Sequence, residues 1–109
     1  MRDVIFGYQF PMPVPVPTPE WPELDGKVFV RTITAAERDE YEDGFAKGTM
    51  RNARARLVVM AACDAGGNPI FTAEDVEAVG KQPATVISRL WYEARTLSVG
   101  EGVEGAVKN

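Results

Sequence analysis

The chain has 109 residues, a formal charge of −4 and no histidine. That suits one domain with a modest core, and it excludes histidine-based catalysis and histidine metal ligation. The acidic balance argues against a general nucleic-acid-coating role. The single cysteine, Cys63, excludes an internal disulfide framework and fits a cytosolic compartment.

The amino terminus places Arg2 beside Asp3 and lacks a long apolar stretch, so neither a signal peptide nor a membrane span is expected. Residues 4–10 are aromatic, weakly charged and free of proline. Left exposed, such a segment would aggregate. Two readings stand for it: a strand docked on its own domain, or an arm that pairs with a neighbouring subunit or a partner. Proline then occupies every second position from Pro11 to Pro19, and Pro22 follows. Each residue before a proline is held extended. A polyproline-II run rises roughly 3 Å per residue, so this one would carry the terminus on the order of 28 Å from the domain unless it folds back. It reads as a spacer or a strap over the surface, with a ligand for an SH3-type groove as the other option.

Residues 28–33 alternate in the manner of a strand, with Val28, Val30 and Thr32 on one side and Phe29, Arg31 and Ile33 on the other. Thr34 and Glu37 have capping-box spacing, Ile33 is placed as a hydrophobic staple, and Tyr41 and Phe45 anchor the helix that follows. Gly44, Lys47, Gly48 and Thr49 predict a break. Residues 50–64 read as a second helix whose carboxyl half, including Cys63, is apolar all round and therefore buried on several sides. Arg51, Arg54 and Arg56 crowd its amino half, where cations oppose the helix dipole. They call for an acidic partner, either the carboxylates of the preceding helix or a bound anion.

Residues 65–69 form a turn. Residues 70–71 read as a very short strand beside residues 28–31. Thr72 caps a short helix, with Asp75 in a capping-box role, Val76 and Val79 facing inward and Gly80 at its end. Pro83 opens the last helix, where Val86, Ile87, Leu90, Trp91, Ala94 and Leu97 repeat at helical spacing as a core stripe. From Ser98 onward, Gly100, Gly102 and Gly105 give a loose tail. The expected organisation is an extended arm over residues 1–22, a helical domain over 23–97 and a flexible glycine-rich tail over 98–109. The fold class is mainly α with a small β element: about four helices and a short two-stranded pairing.

No Gly-rich phosphate loop, paired CxxC or calcium loop is present. No catalytic residue, cofactor or metal site is therefore assigned. Cys63 reads as inert packing. Asp64 and Asp75 flank the glycine turn without forming a recognisable metal site. Residues 72–91 mimic a helix-turn-helix, with Thr85, Ser88 and Arg89 on the reading helix. Any helical hairpin with a glycine corner shares that pattern, and the acidic chain speaks against DNA.

The stretch from Glu20 to Tyr41 resembles the phage tail assembly chaperones of long-tailed bacteriophages. The motifs are Glu20-Trp21, Val28-Phe29-Val30-Arg31, Ile33-Thr34, Ala36-Glu37-Arg38-Asp39 and Tyr41. The similarity continues through Arg56-Leu57-Val58, the turn from Asp64 to Asn68, Pro69-Ile70-Phe71, Thr72, Asp75-Val76, the stripe ending at Leu97 and the terminal Lys108-Asn109. It departs in the Pro-alternating arm and in the glycine-rich end. The resemblance implies a non-enzymatic helper that coats the tape measure protein, keeps it soluble and recruits tail tube subunits. Such a helper works in the host cytoplasm and is absent from the finished virion. It also implies a longer form made by programmed frameshifting, with which the ending Val107-Lys108-Asn109 is compatible.

Neither nucleic acid nor a membrane is an expected partner, and homo-oligomerisation through the amino-terminal arm is one expectation. The aromatics to test as partner contacts are Trp21, Phe29, Trp91 and Tyr92, with core packing the competing role for Phe29 and Trp91. The other functional classes are a small helix-turn-helix DNA-binding regulator and a different head–tail structural protein.

Overall fold

In the computed structural model, which describes residues 1–48 and 51–99, the proline run lies against the core. Val14–Pro15 form strand β1, which pairs antiparallel with β2 (Phe29–Val30). The Val16 amide extends the ladder by donating to the Val28 carbonyl at 3.0 Å. Two alternations coincide here. Val16 and Thr18 are buried, while Pro15, Pro17 and Pro19 face outward. Along a strand, successive amides also point to opposite sides. The amides of Val14 and Val16 face β2, and the positions facing the free edge are prolines, which have no N–H to offer. The strap is thus an edge strand with its outward donors removed. Its reach across the domain is the folded-back alternative to an extended spacer.

Ahead of the strap, residues 4–10 are not a docked strand. Arg2–Phe6 form a short helix, α1, ended at Gly7, with the Arg2 guanidinium 5.0 Å from the centre of the Phe6 ring. That pair sits at i,i+4, where helical side chains meet. Ile5, Phe6 and Tyr8 remain exposed. The proline-lined edge of β1 offers residues 4–10 no run of donors to pair with.

The sheet has three strands in the order β1–β2–β3, where the sequence suggested two. Beside β2 lies β3 (Ala62–Cys63), not residues 70–71, with Phe29 opposite Cys63 and Val30 opposite Ala62. Ile70 pairs on the far side of β3, its amide donating to the Ala62 carbonyl at 3.2 Å. Cys63 is therefore a strand residue and not a helical one. Residues 64–68 explain the change of direction. The Asp64 carboxylate accepts from the Gly66 and Asn68 amides at 2.9 and 3.0 Å, and Gly67 adopts φ +84, so the chain reverses at once. Burial holds the Cys63 thiol in its protonated form, raising its pKa.

Four further helices follow α1: α2 (Ala35–Ala46), α3 (Ala53–Ala61), α4 (Val76–Gly80) and α5 (Ala84–Val99). Helix α2 starts at the anticipated capping box. The Thr34 amide donates to Glu37 at 2.9 Å and the Glu37 amide to the Thr34 hydroxyl at 3.1 Å. The helix continues through Gly44 and stops at Ala46. Helix α3 begins later than the sequence suggested, at Ala53, after Asn52 in a left-handed conformation. Met50 and Thr49 lie outside the described residues, as do residues 100–109 of the expected tail.

A capping box at Thr72 and Asp75 opens a 3-10 turn, Ala73–Asp75, that runs into α4. Helix α3 is central and packs on α5, α4 and α2, burying Ala55, Leu57, Val58, Val59 and Ala61. Val16, Val30, Ile33, Val79, Val86 and Leu90 close the core around it. Among the described residues no helix is long and apolar enough to cross a membrane.

Candidate functional site

Helix α5 presents two different surfaces, and each is built from long-range partners. On its first half, Arg89 reaches Glu20 with both nitrogens, at 2.9 and 3.1 Å, and also donates to the Pro17 carbonyl at 2.9 Å. Thr85 donates to the same carboxylate at 2.8 Å. These charge-assisted bonds bring the Glu20 pKa down from 4.5 to about 2. They latch the strap to the helix. The DNA-reading positions of the helix-turn-helix mimic are therefore engaged within the protein: Thr85 and Arg89 hold a carboxylate, and Ser88 accepts from Arg54 at 3.5 Å. A carboxylate at that face would repel phosphate.

The second half of α5 faces α2 across an apolar concavity of about 480 Å³. Leu57 and Ile33 line its base, and Tyr41 and Trp91 line its walls. The Trp91 indole N–H donates to the Tyr41 hydroxyl at 3.2 Å, which satisfies the ring's polar edge. At the rim, Arg38 is held by Glu42 at 2.7 Å and donates to the Ser98 carbonyl at 3.3 Å. Arg54 and Arg95 are different. Their guanidinium carbons lie 4.8 and 5.9 Å from the centre of the Trp91 ring, and among the described residues neither has an ion pair with a carboxylate.

Among the described residues no ion pair joins the arginines of α3 to the acids of α2, although Arg56 lines one hollow with Glu40 and Asp43. Arg54 stacks on Trp91, and Arg56 donates to the Arg51 carbonyl at 2.8 Å. The Glu37 carboxylate at the start of α2 is taken by Arg31 at 3.0 and 2.6 Å. Arg31 also donates to the Met60 carbonyl at 2.7 Å, tying β2, α2 and α3 together. The Arg31 guanidinium holds the Glu37 carboxyl at about 2, against 4.5 for a free side chain.

The four aromatics singled out from sequence do not converge. Trp91 is half-buried against the core and walls the α2–α5 groove. Tyr92, its neighbour in sequence, is 59% exposed and points about 100° around the helix from it. Trp21 lines a separate hollow of about 420 Å³ with Leu24, Ile70, Phe71 and Val79. Phe29 is half-buried, on the face of the sheet opposite the buried Val28 and Val30.

Sequence reasoning placed Tyr41 as a packing anchor and did not see it as Trp91's partner, a pairing across 50 positions. Arg95 was within reach, because Trp91 and Arg95 are spaced i,i+4 on one helix. Among the described residues there is no cluster of three histidine, cysteine or carboxylate side chains arranged to hold a metal ion. The Asp64 and Asp75 carboxylates serve the turn and the cap.

No family model matches the chain, and no curated protein matches its sequence. Among solved structures, the tail assembly chaperone of bacteriophage HK97 superposes with a TM-score of 0.64 at 22% sequence identity. The match covers 89% of this chain and 95% of that one. The chain has a phage tail assembly chaperone fold. Within this chaperone-like fold, the α2–α5 groove is the apolar concavity framed by charged residues, and the strap latch lies on the other half of the same helix.

Proposed function

We propose that this protein is a phage tail assembly chaperone, without enzymatic activity, that covers the tape measure protein, keeps it soluble and recruits tail tube subunits while the tail polymerises. The observation that carries the reading is the near full-length fold similarity to the HK97 tail assembly chaperone. The α2–α5 groove gives it a physical basis. A long helical partner with exposed apolar stripes needs temporary cover, and a groove walled by Trp91 and Tyr41 offers an apolar surface of that kind.

Trp91 is the proposed central contact, with Tyr92, Trp21 and Phe29 as outlying ones. The place of action is the host cytoplasm, and the longer frameshifted form is expected to share this domain. The exposed amino-terminal segment is proposed to join copies of the chain, which predicts a lower solution mass once residues 1–10 are removed.

Co-expression with the tape measure protein from the same genome tests the function. The expected outcome is a shift of the tape measure from the insoluble to the soluble fraction, with this chain co-purifying. A tape measure that stays insoluble, or that is equally soluble alone, refutes the reading. A gene lying between those for the tail tube and the tape measure agrees with it.

A further inference from the structure

Resting on the reading of the α2–α5 groove as the chaperone's working surface, we propose that its occupant is an amphipathic helix with acidic flanks. The apolar stripe of that helix lies along Trp91, Tyr41 and the Leu57 floor, and its flanking carboxylates meet Arg54 and Arg95. Two observations point to this chemistry. The first is the groove's shape and apolar lining, with the Trp91 N–H already bonded to Tyr41. Helix-in-groove recognition uses such surfaces.

The second is a charge anomaly. Acidic residues outnumber Lys and Arg by 16 to 12 in this chain. Arg31, Arg38 and Arg89 are each matched to a carboxylate. Arg54 and Arg95, which flank the Trp91 ring from two different helices, have no such partner among the described residues. Stacking holds both guanidiniums beside the Trp91 ring, Arg95 within the groove lining and Arg54 with one nitrogen donating to Ser88 at 3.5 Å, so that the remaining donors are what a carboxylate would meet. Arg54 also sits near the amino end of α3, where a cation is disfavoured by the helix dipole, so an incoming carboxylate relieves an unfavourable local field as well as pairing with the side chain. A basic or neutral helix gains neither effect, so flank charge selects the partner.

The test uses the full chain and three dye-labelled synthetic peptides of about 18 residues, roughly five helical turns. They share one leucine stripe and carry Glu, Gln or Lys on the flanks. Fluorescence anisotropy is expected to show the Glu-flanked peptide binding about tenfold tighter than the Gln-flanked one at low salt. That advantage shrinks as salt is added, and the Lys-flanked peptide binds weakest. In the double variant Arg54→Gln/Arg95→Gln the Glu preference disappears, while the thermal midpoint stays within a few degrees of the parent. Trp91→Phe keeps the Glu preference with weaker binding.

Equal affinity for the three flanks, or a Glu preference that survives the double arginine variant, overturns the proposal. Binding that appears only after deletion of residues 1–10 overturns it too, because the groove is then occupied by the chain's own amino-terminal segment. Failure here with intact rescue of the tape measure in co-expression removes only the acidic-flank specificity. Failure of that rescue with flank-selective peptide binding removes the tape measure role and leaves the groove chemistry standing.

Discussion

Arg89 and Arg95 sit on the same helix and meet opposite fates. Arg89 is engaged by Glu20 and the Pro17 carbonyl, and its half of α5 is covered by the proline strap. Arg95 lies at the edge of an apolar groove beside the Trp91 ring, with no carboxylate paired to it among the described residues. The residue type is identical, so it cannot distinguish a structural latch from a recognition surface. The distinction comes from whether a carboxylate is already in place. In the latch half, Thr85 and Arg89, which would read a DNA groove, are bonded to the protein itself.

The largest expected effect separates the core face of α5 from its groove face. Leu90 is fully buried and Trp91 only half so. Leu90→Ala is expected to lose about 2–5 kcal/mol of stability in denaturant titration, and Trp91→Ala about 1–2 kcal/mol. On the proposed function, only Trp91→Ala, still folded, is expected to fail to keep the tape measure soluble in co-expression. Equal losses of stability would merge the two faces into one core.

A second, intermediate effect compares matched with unmatched arginines through pH. Glu20 and Glu37 both titrate at about 2 in the folded chain, against 4.5 when free. Between those values the unfolded chain binds more protons, so stability is highest above about pH 4.5 and falls as pH drops toward 2. Arg31→Ala is expected to lose about 1 kcal/mol at neutral pH and to flatten that acid limb, and Arg89→Ala flattens it as well. Arg95→Ala is expected to leave the limb as it was, since among the described residues no carboxylate is paired with Arg95. An acid limb altered by Arg95→Ala contradicts the comparison. Thermal midpoints measured from pH 7 to pH 2 decide it.

The smallest effect on stability concerns the strap's free edge. Pro15→Ala restores an amide donor to that edge, and the expected change in stability is under about 0.5 kcal/mol. The expected change in behaviour is concentration-dependent self-association, seen as a rising sedimentation coefficient. A variant that stays at the parent's mass at every concentration removes the edge-protection role from the proline alternation.

Much of the fold was legible because its signals are local. The capping boxes at Thr34–Glu37 and Thr72–Asp75, the stripe from Val86 to Leu97, the all-round apolar half of α3 and the turn at residues 64–68 each depend on contacts within a few residues. Local periodicity and caps set element type without reference to the rest of the chain. The docked-strand reading of the amino-terminal segment failed for a related reason. Aromatic, proline-free residues suit a strand only where a partner edge exists, and residues 4–10 have none on the proline-lined strap.

The sequence by itself determined that the chain builds a mainly helical domain with one extended element beside a proline alternation, and that it carries motifs resembling tail assembly chaperones. The tertiary structure alone decided which strands lie beside β2, which arginines are matched and where the apolar groove opens. Those outcomes join residues such as Glu20 and Arg89, 69 positions apart, or Tyr41 and Trp91, 50 apart. Complementary side chains at such distances have many alternative partners along the chain, and only packing around α3 selects among them.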